Sequence, residues 1–170
     1  MDVKKITRLG LLTAVALIMF VIEMQIPNPV PIPGIKLGLA NIVTVYAAFR
    51  FRGRDVFIMV LTRLLLGAML SGTIVSFLFS LCGSLLCLAG MLPLSRAVSE
   101  RYIWLCSVAG AVLHNIGQMI AAVAVMQTFS VLVYLPPLLV SGCIAGAFTG
   151  ICAQLVVNRV SQNKKNDRSI

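Results

Sequence analysis

The sequence predicts an all-α, polytopic membrane protein with six transmembrane helices arranged as one bundle. Hydrophobic residues make up 59% of the 170 positions and charged residues only 11%, whereas soluble domains carry roughly 25% charged residues. Most of the lysines and arginines fall into four groups that lie beside apolar runs. We therefore expect a single integral-membrane domain over residues 1–170.

The four basic groups predict the orientation of the chain. They are Lys4/Lys5/Arg8, Arg50/Arg52/Arg54, Arg96/Arg101 and Arg159/Lys164/Lys165/Arg168. These groups occupy alternate connections, as the positive-inside rule requires, so both termini (about 1–6 and about 159–170) are expected in the cytoplasm and the protein in the plasma membrane. The net charge of +9 then reflects topology and contact with anionic lipid, not nucleic-acid binding.

The first two predicted helices flank a proline-rich segment. The first is expected at about Thr7–Ile26 and the second at about Leu37–Phe49. Between them, prolines occupy every second position from Pro27 to Pro33, which excludes a helix and favours an extended, polyproline-like strap. The strap lies outside the cell in this topology. Since the second helix is shorter than the roughly 20 residues of a full span, the strap must dip into the membrane.

The remaining four helices complete the predicted bundle. The third, at about Val56–Leu70, also looks too short, and it meets the fourth, at about Thr73–Leu94, at the uncharged turn Ser71-Gly72. The fifth is expected at about Tyr102–Met126 and the sixth at about Leu132–Asn158. Two short helices that meet the others near the outer surface predict a funnel open to the outside.

Small residues recur at four-residue spacing, which lets helix backbones approach closely. They are Gly72, Ser76, Ser80 and Ser84 in the fourth helix, Gly142, Gly146 and Gly150 in the sixth, and Gly10 and Ala14 in the first. Internal helix packing accounts for most of them. The pair Gly10 and Ala14, near the cytoplasmic end, has a second interpretation, because this face could dock a partner membrane protein.

Two ionisable residues lie where the membrane interior is expected, and such residues are candidates for a function. Arg63 is midway along the third helix and far from the basic groups. Arginine stays protonated, so its side chain must face an anion, carbonyl groups or water. Glu23 is the only acid away from the cytoplasmic side. Arg63 therefore either forms an ion pair with Glu23 or meets an anionic group of a ligand.

A polar cluster interrupts the fifth helix. His114 and Gln118 are four residues apart and share a face, and Asn115 lies beside them. The cluster either stabilises helix packing or forms the wall of a cavity that recognises a polar ligand. One histidine without a carboxylate or cysteine at ligand spacing is a weak metal site, so neither a metal nor a cofactor is expected.

The sequence lacks the motifs of several kinds of catalysis. It contains no P-loop for ATP and no paired carboxylates to hold magnesium on a diphosphate. The acids are also badly placed for a Ser-His-Asp arrangement. We therefore predict no catalytic residues and no enzymatic activity of this chain alone.

Five motifs carry a resemblance to a known family. They are Pro-Ile-Pro-Gly-Ile-Lys-Leu-Gly-Leu-Ala-Asn at 31–41, Arg-Leu-Leu-Leu-Gly at 63–67, Phe-Ser-Leu-Cys-Gly at 79–83, His-Asn-Ile-Gly-Gln at 114–118 and Tyr-Leu-Pro-Pro-Leu-Leu at 134–139. The chain resembles the Gx transporter family, also labelled heptaprenyl diphosphate synthase component I. The resemblance implies a fold similar to the substrate-binding S components of energy-coupling-factor transporters, which bind a small molecule and depend on a membrane coupling subunit and ATPases in trans.

The resulting hypothesis is a substrate-binding subunit of an importer for a small molecule of the vitamin or cofactor-precursor kind. Its pocket would be formed by the strap together with Lys36, Asn41, Arg63, His114, Asn115, Gln118 and Glu23. Arg63 or Lys36 would bind an anionic group, and the amides would orient the rest. One alternative is a membrane accessory subunit of polyprenyl diphosphate or quinone synthesis with a soluble catalytic partner. Another is a structural subunit that binds no ligand.

Overall fold

A computed structural model describes residues 3–26, 38–72 and 74–166, and the side chains of these residues as far as 162. The described residues form α1 (Val3–Gln25), α2 (Leu39–Arg50), α3 (Gly53–Ser71), α4 (Ile74–Ala97), α5 (Ile103–Met126) and α6 (Leu135–Asn166). Two short 3₁₀ helices, Glu100–Tyr102 and Phe129–Tyr134, precede α5 and α6. The predicted all-α bundle is confirmed.

Four of the helices in the described ranges, α1, α4, α5 and α6, are long and apolar enough to cross a membrane. By contrast, α2 has 12 residues and is about 18 Å long at 1.5 Å per residue. That length is well short of the roughly 30 Å hydrocarbon core of a bilayer. The expectation of a short second helix is confirmed.

The expectation of a short third helix is wrong. α3 has 19 residues and is about 28 Å long, because it begins at Gly53 and not near Val56. Its first turn carries the charged residue Asp55, which hydropathy placed outside the helix. Asp55 is stable there because Lys5 of α1 forms an ion pair with it at 2.6 Å and because helix N-termini favour acidic side chains.

The predicted boundaries of the fourth and sixth helices also need correction. α6 begins at Leu135 and not at Leu132, since residues 129–134 form the 3₁₀ helix. Pro136 and Pro137 then lie in the first turn, where a missing N–H leaves no helix hydrogen bond unformed. α4 continues past Pro93 to Ala97.

The apolar core fills the half of the bundle that carries the basic groups, which we call the inner half. Its largest fully buried side chains include Val56 and Met59 of α3, Met91 of α4, Ile103 of α5 and Val157 of α6. Polar contacts close the end of this half. In one of them, the guanidinium of Arg50 lies 3.5 Å from the carboxylate of Glu100 and also donates to the carbonyl of Val157.

Glycines allow α5 to approach its neighbours closely, and α5 packs most extensively against α4 and α6. A Cβ atom at Gly117 would lie 2.6 Å from the carbonyl oxygen of Cys82, and one at Gly150 would lie 2.6 Å from the Cα atom of Trp104. Real Cβ atoms do not approach other atoms so closely. The prediction that the glycines of the sixth helix serve internal packing is therefore confirmed.

Candidate ligand-binding cavity

A cavity of about 330 Å³ occupies the opposite half of the bundle, which we call the outer half, and residues from all six helices line it. This volume lies at the small end of the range for ligand pockets, roughly 300–1,000 Å³. The wall combines apolar side chains with many polar ones. The polar lining residues are Glu23, Asn41, Arg63, Ser71, Ser76, Ser80, Ser84, His114, Asn115, Gln118, Ser141 and Thr149.

Six of the seven residues predicted to bind a ligand line this one cavity. They are Glu23, Asn41, Arg63, His114, Asn115 and Gln118. The seventh, Lys36, lies outside the described residues, as does the proline strap. Four helices, α1, α2, α3 and α5, thus bring the predicted polar groups together. Their part in binding stays a prediction.

The directions of the helices order the lining residues by depth. α3 runs outward from Arg63 to Ser71, and α4 runs inward from Ser76 to Ser84; all four residues line the cavity. Eight residues of helix rise about 12 Å, so the part of the cavity that α3 and α4 line is roughly that deep. By the same reasoning Thr149 of α6 lies at the inner end, and Glu23, at the far end of α1, lies at the outer end.

Arg63 is a buried charge at the inner end of this cavity. The residue is only 8% exposed, and it forms no ion pair or hydrogen bond with any other described residue. In particular, the ion pair with Glu23 that the sequence allowed is not formed. Instead, Glu23 accepts a hydrogen bond from the backbone N–H of Gly38. Burying an unpaired charge is unfavourable, so the geometry leaves Arg63 available for an anion.

Two residues of the polar cluster in α5, Asn115 and Gln118, differ in their contacts. The amide of Asn115 donates to the backbone carbonyl of Leu138 at 2.6 Å, so this side chain stabilises the packing of α5 on α6. Gly142 makes room for it, since a Cβ atom there would lie 2.3 Å from Asn115 Nδ2. In contrast, the buried Oε1 atom of Gln118 has no hydrogen-bond partner among the described residues. Gln118 lies against Gly83 of α4 and also lines the cavity, so its part in ligand binding stays a prediction.

The small-residue face of α4 has a second role that its spacing did not predict. Ser76, Ser80 and Ser84 all line the cavity, in addition to any part in helix packing. Serine can occupy a close helix contact as well as glycine, so the spacing alone did not separate the two roles. The feature of the sequence that indicates a cavity wall is the serine hydroxyl, which recurs on one face of an otherwise apolar helix.

Three further polar residues of the wall were missed. Ser71 closes α3, Ser141 donates to the carbonyl of Leu138 at 3.0 Å, and Thr149 pairs with the hydroxyl of Ser107 at 3.0 Å. Isolated hydroxyl groups in apolar helices bond to their own backbone and give little sequence signal.

The two small residues proposed for partner docking lie on the outside of the bundle. Gly10 and Ala14 are both exposed, and an added Cβ atom at Gly10 would meet nothing within 4 Å. They therefore take no part in internal packing. Docking of a partner on this face stays a prediction.

The fold and the cavity define the class of this protein as an all-α membrane protein with a polar cavity inside its helical bundle. Residues 12–156 match the family model described as heptaprenyl diphosphate synthase component I. The chain belongs to this family, as its motifs predicted. It matches no curated protein and no solved structure.

Proposed function

We propose that this chain is a non-catalytic, ligand-binding membrane subunit that serves as the accessory component of polyprenyl diphosphate synthesis. The observation that carries the binding role is Arg63, a buried cation that lines a cavity of about 330 Å³ and has no ion-pair or hydrogen-bond partner among the described residues. The family match over residues 12–156 supports the assignment of this subunit to polyprenyl diphosphate synthesis.

The placement of the acidic residues supports a separate catalytic chain. Among the described acids, Asp55 and Glu100 are engaged in ion pairs at the inner end of the bundle, and Glu23 stands apart at the outer end of the cavity. Magnesium on a diphosphate requires carboxylate ligands that converge. A soluble synthase partner would supply them.

The volume of the cavity limits what it holds in this role. A space of about 330 Å³ accommodates a small molecule but not a chain of seven isoprene units. The polyprenyl chain would therefore lie in the bilayer or against the outside of the bundle, while the cavity takes a smaller molecule with an anionic group.

Affinity purification from native membranes tests this role. We expect a polyprenyl diphosphate synthase to co-purify with the tagged chain, and we expect deletion of the chain to lower the activity of that synthase in membranes. Arg63→Met should reproduce the loss of activity while the complex still forms. Arg52→Met, which removes an exposed arginine, is the matched control. Unchanged synthase activity after deletion would contradict the accessory role.

A second candidate function is the small-molecule importer subunit, which the position of the cavity favours. The cavity lies in the half of the bundle opposite to the basic groups, and the positive-inside rule places that half toward the outside of the cell. Such a subunit would depend on a membrane coupling subunit, docked at Gly10 and Ala14, and on ATPases. Co-purification of ATPases in place of a synthase, together with loss of uptake of a co-purifying small molecule, would favour this candidate.

A further inference from the structure

We propose that the cavity selects a small molecule with one negative charge at one end and a hydrogen-bond donor at the other, and that the anionic end enters first. This inference deepens the proposed function and rests on the existence of a ligand. It names the chemical class of that ligand and its orientation.

The inner end of the cavity is suited to an anion. Arg63 contributes its buried guanidinium, and Ser84 of α4 also lines the cavity. An arginine can donate two parallel hydrogen bonds to a carboxylate. Because Arg63 has no partner among the described residues, an anion would satisfy donors that the fold leaves unused.

The outer end of the cavity presents an acceptor instead. Glu23 uses Oε1 to accept the hydrogen bond from Gly38, and its Oε2 atom forms no hydrogen bond with any described residue. A group that donates hydrogen bonds, such as an amine, an amide N–H or a hydroxyl, would pair with this second oxygen.

The formal charges of the wall limit the charge of the ligand. Among the described lining residues, Arg63 is the one arginine or lysine and Glu23 the one acid. Even with His114 protonated, these described residues sum to a single positive charge. A prenyl diphosphate brings about two or more negative charges, of which the described residues would leave one or more uncompensated. A single carboxylate therefore matches the described part of the wall better than a diphosphate.

The packing of the bundle determines the direction of entry. The apolar core fills the inner half from Leu9 of α1 to Val157 of α6, so a ligand reaches the cavity from the outer end. It passes Glu23 before it meets Arg63. An anionic group that leads can continue to Arg63, whereas a donor at the trailing end stays beside Glu23.

The test uses the purified full chain in nanodiscs and calorimetric titration with matched probes. 4-(4-Aminophenyl)butyrate carries both groups, 4-phenylbutyrate lacks the amine, 4-butylaniline lacks the acid, and inorganic pyrophosphate is the polyanion. We expect affinity to fall by about tenfold on removing the amine, the value of one hydrogen bond to a charged group. We expect a larger loss on removing the acid and no binding of pyrophosphate.

Two variants assign each end of the probe to its residue. Arg63→Met should lower the affinity for both acids by about tenfold or more. Glu23→Gln keeps an acceptor for Gly38 but removes the charge, so it should weaken 4-(4-aminophenyl)butyrate alone. Arg52→Met should change neither affinity. Size-exclusion profiles and circular dichroism establish that each variant is folded, and Arg63→Lys provides a second test if Arg63→Met is not.

Several results would overturn the inference. They are tight binding of pyrophosphate, equal affinities for the two acids, acid binding that survives in Arg63→Met, or no binding of either acid. Tight binding of pyrophosphate would refute the charge selection yet leave the binding subunit intact. Failure of a synthase to co-purify would refute the accessory role yet leave the selectivity of the cavity untouched.

Discussion

The carboxylate of Glu23 accepts a hydrogen bond from the backbone N–H of Gly38 and does not pair with Arg63. This contact joins the last turns of α1 to the start of α2, at the outer end of the cavity. The hydrogen bond engages the Oε1 atom of Glu23, which is the only acid among the described residues of the outer half. Arg63 forms no ion pair or hydrogen bond with a described residue, and this is the basis of the proposed anion site.

Replacement of Arg63 by methionine should stabilise the ligand-free protein. The variant removes a buried, unpaired charge and substitutes an apolar side chain of similar length, so we expect a gain of about 1 kcal/mol or more in the free energy of unfolding. Thermal unfolding in detergent measures this gain. A residue with a purely structural role would give the opposite sign, as would an Arg63–Glu23 ion pair, and destabilisation by Arg63→Met would therefore count against the anion site.

Replacement of Gly38 by alanine should destabilise the start of α2. Gly38 has a φ of 72°, a left-handed conformation that costs an L-residue about 1–2 kcal/mol, and we expect a loss of that size in unfolding free energy. Gly38→Asn should cost less, because asparagine tolerates this conformation.

Gly10→Ala is the matched control for Gly38→Ala. Gly10 lies in the interior of α1 with open space around it, so alanine should leave stability unchanged or raise it by up to about 1 kcal/mol. Equal effects at the two glycines would mean that the left-handed turn does not hold α2.

Gly142 and Asn115 should be energetically coupled. A methyl group at Gly142 would lie 2.3 Å from Asn115 Nδ2 and would displace the amide from the carbonyl of Leu138, so Gly142→Ala should cost about 1–3 kcal/mol. In the double variant with Asn115→Ala this clash is absent. A double-mutant cycle by thermal unfolding should then show a coupling of about 1 kcal/mol or more, and additive effects would exclude the predicted contact.

The ion pair between Lys5 and Asp55 should depend on which partner is removed. The side chain of Asp55 is 8% exposed and that of Lys5 is 32% exposed. Lys5→Met leaves a buried carboxylate without its cation and should cost about 1–3 kcal/mol, whereas Asp55→Asn leaves a lysine that can reach water.

The combination of the two changes tests this asymmetry. Lys5→Met/Asp55→Asn should be more stable than Lys5→Met alone in the same unfolding measurement, because no carboxylate remains unpaired. Arg54→Met, which removes an exposed charge beside the pair, serves as the control. A double variant that is as unstable as Lys5→Met would show that the pair contributes through packing.

The sequence predicted the membrane class, the six helices and six described cavity residues, because each of these leaves a local signature. An arginine or a run of His-Asn-Gln in an apolar helix is visible without a structure. Helix ends were less predictable. The start of α3 depends on Asp55, which is neutralised by Lys5 from another helix, and no local pattern in residues 50–56 reveals that partner.

By itself, the sequence determined the composition of this protein, its helical pattern, its charge asymmetry and its family, since hydropathy and motifs are properties of neighbouring residues. Only the tertiary structure decided the partners of the polar groups. In the structure, Asn115 donates to the carbonyl of Leu138, and the serines of α4 line a cavity. Glu23 accepts a hydrogen bond from Gly38 and forms no ion pair with Arg63. These outcomes depend on helix rotation and on the close approach that glycines permit, and such distances are settled only when all six helices pack together.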